Sequence, residues 1–210
     1  MEINIVIDVV CPWCYVGKRQ MERALKTRPA AAPTVYWRPY QLDPATPDAG
    51  RDRRDHYRQK FGEGPALKNM RQALLEYGDE LGIRFDFKSD CRIANTLDAH
   101  RVIRWALGQG AVVQDRVVEA LMQAYFEDCA FLGDHDLLAQ IAGQAGMDQL
   151  LVRELLAAAR DVTLVQGEIE SARRMGVTGV PYFIFDNKYA VAGAQPPSVL
   201  VSAMDKASGQ

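Results

Sequence analysis

A nearly continuous run of β-branched residues, Ile3, Ile5, Val6, Ile7, Val9 and Val10, ends directly on Cys11-Pro12-Trp13-Cys14. Such a run suits a strand buried on both faces, as in a parallel sheet covered by helices. After Cys14 the apolar spacing of Val16, Met21 and Leu25 is helical, and a proline at a helix start gives up only an N–H that has no partner there. Two thiols therefore stand one helical turn apart, where a strand feeds a helix. Thr34 to Leu42 reads as a second strand, closed by Asp43-Pro44-Ala45-Thr46-Pro47. Strand, helix and strand within about 40 residues make a βαβ unit with parallel pairing.

The texture then changes. From about Arg51 to Arg160 no convincing strand is expected, since Phe85-Asp86-Phe87 is short and stands alone. Helical periodicity dominates, with Asn95 or Thr96, Asp134 and Asp148 as N-caps and Gly82, Gly108, Gly133 and Gly146 as stops. The sign-alternating segment Arg51–Lys60 is expected to be a solvated surface helix. A further helix near Thr163–Met175 precedes a hairpin, Val180–Phe185 and Tyr189–Ala192 around Asp186-Asn187. Pro197 opens a short final helix through Met204, and the Ser-Gly-Gln end is expected to be loose. Joined across the helical block of residues 51–160, residues 1–50 and 161–210 make a domain of ordinary size.

Composition narrows the function classes. The 210 residues are 48% apolar and carry 25 Lys+Arg against 27 Asp+Glu, a net charge of −2. A core is affordable, and no electrostatic attraction to nucleic acid or an anionic membrane is expected. The longest uncharged stretch, Tyr189–Met204, is broken by Pro196 and Pro197 and falls short of the roughly 20 apolar residues of a membrane span. Glu2 and Asp8 interrupt any signal-peptide pattern, so a cytoplasmic location is expected. There thiols are kept reduced, and a close cysteine pair points to catalysis or metal binding rather than a structural bridge.

At a helix start the unpaired N–H groups and the positive dipole end favour a thiolate at Cys11. A lowered thiol pKa raises the thiolate fraction and improves the leaving group. Cys11 is thus the expected nucleophile, and Cys14 the resolving thiol that attacks a mixed disulfide on Cys11. Half of a zinc site is the competing reading, but Cys91, Cys129, His56, His100 and His135 are scattered singly, so no metal is expected. Cys91 and Cys129 are expected to be free thiols that pack as small apolar residues, with a second redox pair as the alternative reading. Trp13, an aromatic beside a reactive thiol, is expected to face substrate.

Cys11-Pro12-Trp13-Cys14 after an apolar strand, with Gly179-Val180-Pro181-Tyr182-Phe183 before the hairpin, resembles the thioredoxin fold. The long helical insertion makes it similar to the disulfide-oxidoreductase A (DsbA) family, and to its FrnE-like branch. The matching stretches are residues 11–18, Arg38–Pro44, Asn95-Thr96 with Ala99-His100, Ala124-Tyr125-Phe126 and Gly193-Ala194-Gln195-Pro196. The resemblance implies an α/β thioredoxin-like fold (βαβ–αββα) interrupted by an all-α insertion, and a thiol–disulfide oxidoreductase. It implies a cis Pro181 facing the cysteines, a Val180 backbone that offers strand-like hydrogen bonds to a substrate, and Pro12 and Gly193 as parts of the groove. His100 would lie near the cysteine pair with Asn95 beside it; the simpler reading, Asn95 a plain N-cap and His100 a packed or surface residue, stays open. No bound cofactor is implied, with glutathione as a co-substrate, protein or small-molecule thiols and disulfides as partners, and a monomer or homodimer. Two other functions stay open: a glutathione-dependent isomerase or transferase of the 2-hydroxychromene-2-carboxylate isomerase or kappa class, which place serine at the first cysteine position, and a chaperone-like module with dispensable thiols.

Overall fold

The computed structural model describes residues 1–28 and 33–209. In chain order the elements are β1 (Glu2–Ile7), α1 (Pro12–Lys26), β2 (Thr34–Pro39), β3 (Arg51–Asp52), α2 (Arg53–Phe61), α3 (Pro65–Leu81), β4 (Arg92–Ile93) and α4 (Leu97–Leu107). They continue with α5 (Ala111–Phe126), α6 (His135–Ala145), α7 (Gln149–Ala157), α8 (Val162–Arg174), β5 (Tyr182–Phe185), β6 (Tyr189–Ala192) and α9 (Pro197–Ser208).

β1, β2, β5 and β6 form one sheet of order β2-β1-β5-β6. β1 runs parallel to β2, with Ile5 opposite Trp37, and antiparallel to β5, with Ile5 opposite Phe183. The β-branched run explains this central place: Ile3, Ile5 and Ile7 join the main core on one face, while Val6 packs with Tyr40, Ala172 and Val177 on the other. Burying one such isoleucine is worth about 1.5–3 kcal/mol. α3 and α9 each pack against α1, and α4 and α8 pack against β2. The fold is thus the mixed α/β thioredoxin type, with strands from the two ends of the chain and helices α2–α8 between them in sequence.

Caps behave as their chemistry dictates. Asp134 and Asp148 accept N–H bonds at the starts of α6 and α7, and Gly82 and Gly146 end α3 and α6 in the left-handed conformation. Gly108 also caps α4. Gly133, however, stops nothing: α5 ends at Phe126 and is capped by Glu127. The final helix runs four residues past Met204, to Ser208, and Gln210 of the expected loose end lies outside the described residues.

Three further expectations are corrected. A short antiparallel pairing, Arg51 with Ile93 and Asp52 with Arg92, lies inside the helical block; two residues a strand are too few for a period-two pattern to register. α2 is not fully solvated, because Arg53 and Tyr57 are buried. Arg53 donates its N–H to Cys91 O at 2.9 Å and its guanidinium to Asp86 O at 2.5 Å. Cys91 and Cys129 are not free but disulfide-bonded, with Cα atoms 5.3 Å apart. The segment after α3 returns across the end of α5, where Asp86 N–H donates to Phe126 O at 2.8 Å, and a contact between residues 38 apart has no local signature. Among the described residues no helix is long and apolar enough to cross a membrane.

Candidate active site

Cys11 is the N-cap of α1, in extended conformation (φ −88°, ψ 114°), and Pro12 takes the first helical turn. No side chain caps this end, so first-turn N–H groups and the positive end of the helix dipole are left to the cysteines. Cys11 is 5% exposed and Cys14 fully buried, and both are free thiols. Burial pushes the Cys14 thiol well above its ordinary value, and a hydrogen bond and charge interaction with Cys11 push the same way. A hydrogen bond from the Asp8 backbone to Cys14 pulls against them.

The opposite wall comes from the far end of the chain. The Val180–Pro181 peptide is cis, and Cys11 Sγ lies 3.6 Å from Val180 O. This approach depends on a glycine that the sequence argument overlooked. A Cβ at Gly17, in the second turn of α1, would stand 2.8 Å from Pro181 Cγ and 3.2 Å from Phe183 Cζ. Gly193 serves the same turn from behind: at φ +79°, it donates its N–H to Pro181 O at 2.8 Å.

Beside Cys11 opens a cavity of about 260 Å³. Its floor is apolar, with Val10, Trp13, Phe61, Met70, Ile93 and Val180, and Asp43, His56 and Lys60 add polar groups. Trp13 stands edge-to-face against Tyr77 at 5.8 Å, so its ring is held by α3 as it lines the cavity. α2, which the charge pattern assigned to solvent, supplies His56, Tyr57, Lys60 and Phe61. Burial pulls the His56 pKa down, against the nearby Asp43 carboxylate.

Asn95 and His100 both turn inward. Asn95 Oδ1 accepts from Gln41 Nε2 at 2.8 Å and from Leu97 N–H at 3.1 Å, and its amide donates to Pro44 O and Thr46 O. It ties the loop after β2 to the start of α4. His100 is buried, with Nε2 2.8 Å from Tyr40 O; a carbonyl only accepts, so Nε2 carries the hydrogen. The same nitrogen stands 3.6 Å from Asp8 Oδ1.

Asp8 is a further site residue that sequence reasoning missed. It is 1% exposed, lines the cavity and adds a like-charge interaction that raises Cys14. Its Oδ2 accepts from Leu42 N–H at 2.8 Å, while Oδ1 has no hydrogen-bond partner. The signal was present as the one acid in the opening β-branched run.

Comparison with known proteins bears on the fold and the family. The crystal structure of a "probable DsbA oxidoreductase" from Streptomyces coelicolor superposes with a TM-score of 0.89 at 29% identity, over 100% of this chain and 91% of that one. YwbO of Bacillus subtilis, an uncharacterized protein, is 25% identical over 97% of this chain and 96% of its own length. A 2-hydroxychromene-2-carboxylate isomerase shares the fold at 16% identity, with a TM-score of 0.68 over 98% of this chain and 95% of that one. The family model for the DSBA-like thioredoxin domain matches residues 2–205, and the chain belongs to that family.

Proposed function

We propose that the protein is a thiol–disulfide oxidoreductase of the FrnE-like branch, with Cys11 as nucleophile and Cys14 as resolving thiol. The observation that carries this reading is the placement of Cys11: a helix N-cap sulfur at a cavity mouth, 3.6 Å from the Val180 carbonyl. The Cys11 thiolate attacks one sulfur of a substrate disulfide, forming a mixed disulfide and releasing the other half as a thiolate. Cys14, deprotonated, then attacks Cys11 Sγ, releases the second half and closes the Cys11–Cys14 disulfide. The substrate gains two electrons and the protein loses them; the reverse sequence oxidises a dithiol substrate.

Asp8 is the group placed to take the Cys14 proton, since its free Oδ1 belongs to a carboxylate next to a thiol that burial holds protonated. His100 and Asn95 act as positioning residues, the first beside Asp8 and the second across the loop after β2. Val180 presents its backbone to substrate, with Pro181 and Gly193 shaping that turn, and Pro12 and Trp13 complete the rim. No cofactor is required; glutathione enters as a thiol co-substrate. The working division is a thioredoxin-like domain of residues 1–50 and 161–210 with a helical insertion of residues 51–160. We place the protein in the cytoplasm, as a monomer or homodimer.

Purified protein is expected to catalyse dithiothreitol-driven insulin reduction, and Cys11→Ser to abolish it. No rate above the uncatalysed background would overturn the proposal. Turnover of glutathione with an electrophile that survives Cys14→Ser would instead support an isomerase- or transferase-type reaction.

A further inference from the structure

We propose that Cys91, Cys129 and Asp86 form a second, redox-gated site, which takes up one thiophilic divalent cation when the Cys91–Cys129 disulfide is reduced. One ligand atom from each of the three side chains lies within 4.8 Å of the other two. Neither Cys11 nor Cys14 belongs to this group.

Geometry suits a metal as well as a bridge. Two thiolates on one tetrahedral cation, at metal–sulfur distances near 2.3 Å, hold their sulfurs roughly 3.8 Å apart. With Cα atoms 5.3 Å apart, a side-chain rotation supplies that separation without moving the backbone. The backbone is pinned in any case. Cys91 O accepts from Arg53 N–H at 2.9 Å, and Asp86 N–H donates to Phe126 O at 2.8 Å. The carboxylate is held in place too: Asp86 Oδ1 accepts from the N–H groups of Lys88 at 2.8 Å and Ser89 at 3.0 Å, and the Ser89 side chain hydrogen-bonds the same carboxyl. Such outer hydrogen bonds orient metal ligands. Cys91 is buried, but Cys129 and Asp86 are half-buried, so the site is reachable from solvent.

Charge gives the reason for the carboxylate. A neutral disulfide gains nothing from an anion at its edge. Once the bond opens, two thiolates and a carboxylate gather up to three negative charges in one small space, and a divalent cation is the natural counter-charge. Soft sulfur ligands favour Zn2+ or Cd2+ over Mg2+ or Ca2+. Three protein ligands leave a fourth tetrahedral position for water.

The chemistry balances. A dithiol reductant passes two electrons and two protons to the disulfide, giving two thiols and its own cyclic disulfide. The cation then displaces both thiol protons to solvent, forming two metal–sulfur bonds and one bond to Asp86. Reoxidation of the two thiolates by an external disulfide removes both ligands and releases the cation.

The test uses the full chain carrying Cys11→Ser and Cys14→Ser, so that the other thiols neither bind metal nor exchange. The protein is reduced with dithiothreitol, freed of it anaerobically and titrated with Cd2+, read by calorimetry and by the ultraviolet cadmium–thiolate band. One Cd2+ per chain is expected in the reduced protein and none in the oxidised one, with Zn2+ competing for the same site. Asp86→Asn, which keeps the disulfide, is expected to weaken Cd2+ binding about tenfold or more. Absence of saturable binding to the reduced chain, equal binding to the oxidised chain, or unchanged affinity in Asp86→Asn would each overturn the proposal.

Discussion

Cys11 Sγ and the carbonyl oxygen of Val180 meet at 3.6 Å, although the two residues stand 169 positions apart in the chain. The contact puts the end of the cis-proline turn within reach of anything bonded to that sulfur. In the proposed mechanism a substrate joined to Cys11 is held between α1 and the Val180 backbone while Cys14 waits one turn deeper. Cys14→Ser removes the group proposed to clear the intermediate. With a peptide disulfide as substrate, a mixed disulfide on Cys11 is expected to accumulate stoichiometrically, seen as one added peptide mass in non-reducing mass spectrometry. Recovery of unmodified protein would count against the assigned order of the two thiols.

Asp8→Asn keeps an oxygen for Leu42 N–H but removes the charge and the proposed proton acceptor beside Cys14. The attack of Cys14 on the mixed disulfide at neutral pH is expected to slow about tenfold to a hundredfold, the lower end of general-base effects. Because the Asp8 charge raises Cys14, its loss also moves the Cys14 titration to lower pH. Stopped-flow resolution rates across a pH series measure both effects. A rate and profile equal to wild type would remove Asp8 from the mechanism.

Stability of the reduced protein carries the same signature. Cys14 is raised above the ordinary 9.0 by burial, so the folded chain holds a proton that the unfolded chain releases. The resulting stabilisation is complete below pH 9, and fades as pH rises through 9 toward the folded value. One such group contributes a slope of up to about 1.4 kcal/mol per pH unit. Tyr57, pushed up to about 12 by burial, and Tyr125, raised for the same reason, add to the alkaline loss. Urea midpoints from pH 7 upward are expected to fall less steeply above pH 9 in Cys14→Ala than in wild type.

Two glycines to alanine separate packing from propensity. At Gly17 the new methyl would press on Pro181 Cγ at 2.8 Å; overpacking of about 1–3 kcal/mol exceeds the helix-propensity gain of up to about 1 kcal/mol. Gly167→Ala, in α8 with nothing within 4 Å, is expected to gain roughly 0.5–1 kcal/mol. Opposite signs in thermal unfolding check this, and only Gly17→Ala is expected to lower exchange activity.

Reduction of the Cys91–Cys129 bond, or Cys91→Ala with Cys129→Ala, frees a loop spanned by 38 positions. Chain-entropy reasoning puts the loss at about 3–4 kcal/mol. Urea unfolding of the Cys11→Ser, Cys14→Ser chain with and without reductant isolates this contribution.

What the sequence made legible followed from local chemistry. A β-branched run, a cysteine pair before a helix and a late hairpin each carry their own period or motif, and β1, α1, β5 and β6 lie where those patterns put them. What stayed hidden depends on residues far apart. Arg53 and Tyr57 stand among charges as residues of a solvated helix would, and their burial comes from partners distant in sequence, the segment after α3 for Arg53 and Tyr125 for Tyr57. Asp8 looked like an interruption of a strand, because nothing local tells a solvated acid from one sealed beside a thiol. Cys91 and Cys129 looked independent for the same reason. His100 was left between two readings, and its place between Tyr40 and Asp8 comes from packing that no single helix encodes.

The close fit of Gly17 against Pro181 has a consequence for the order of events during synthesis. Translation at about 5–20 residues per second delivers the two thiols roughly 8–33 s before the proline turn that completes their surroundings. Through that interval they belong to an unfinished chain, without Val180 beside Cys11 or the burial that keeps Cys14 protonated. The working pocket then assembles when the last strands dock on β1, a step delayed by its long-range contacts. A ribosome-stalled fragment ending before β5 would present both thiols as ordinary ones, and competence would arrive only with the far end of the polypeptide.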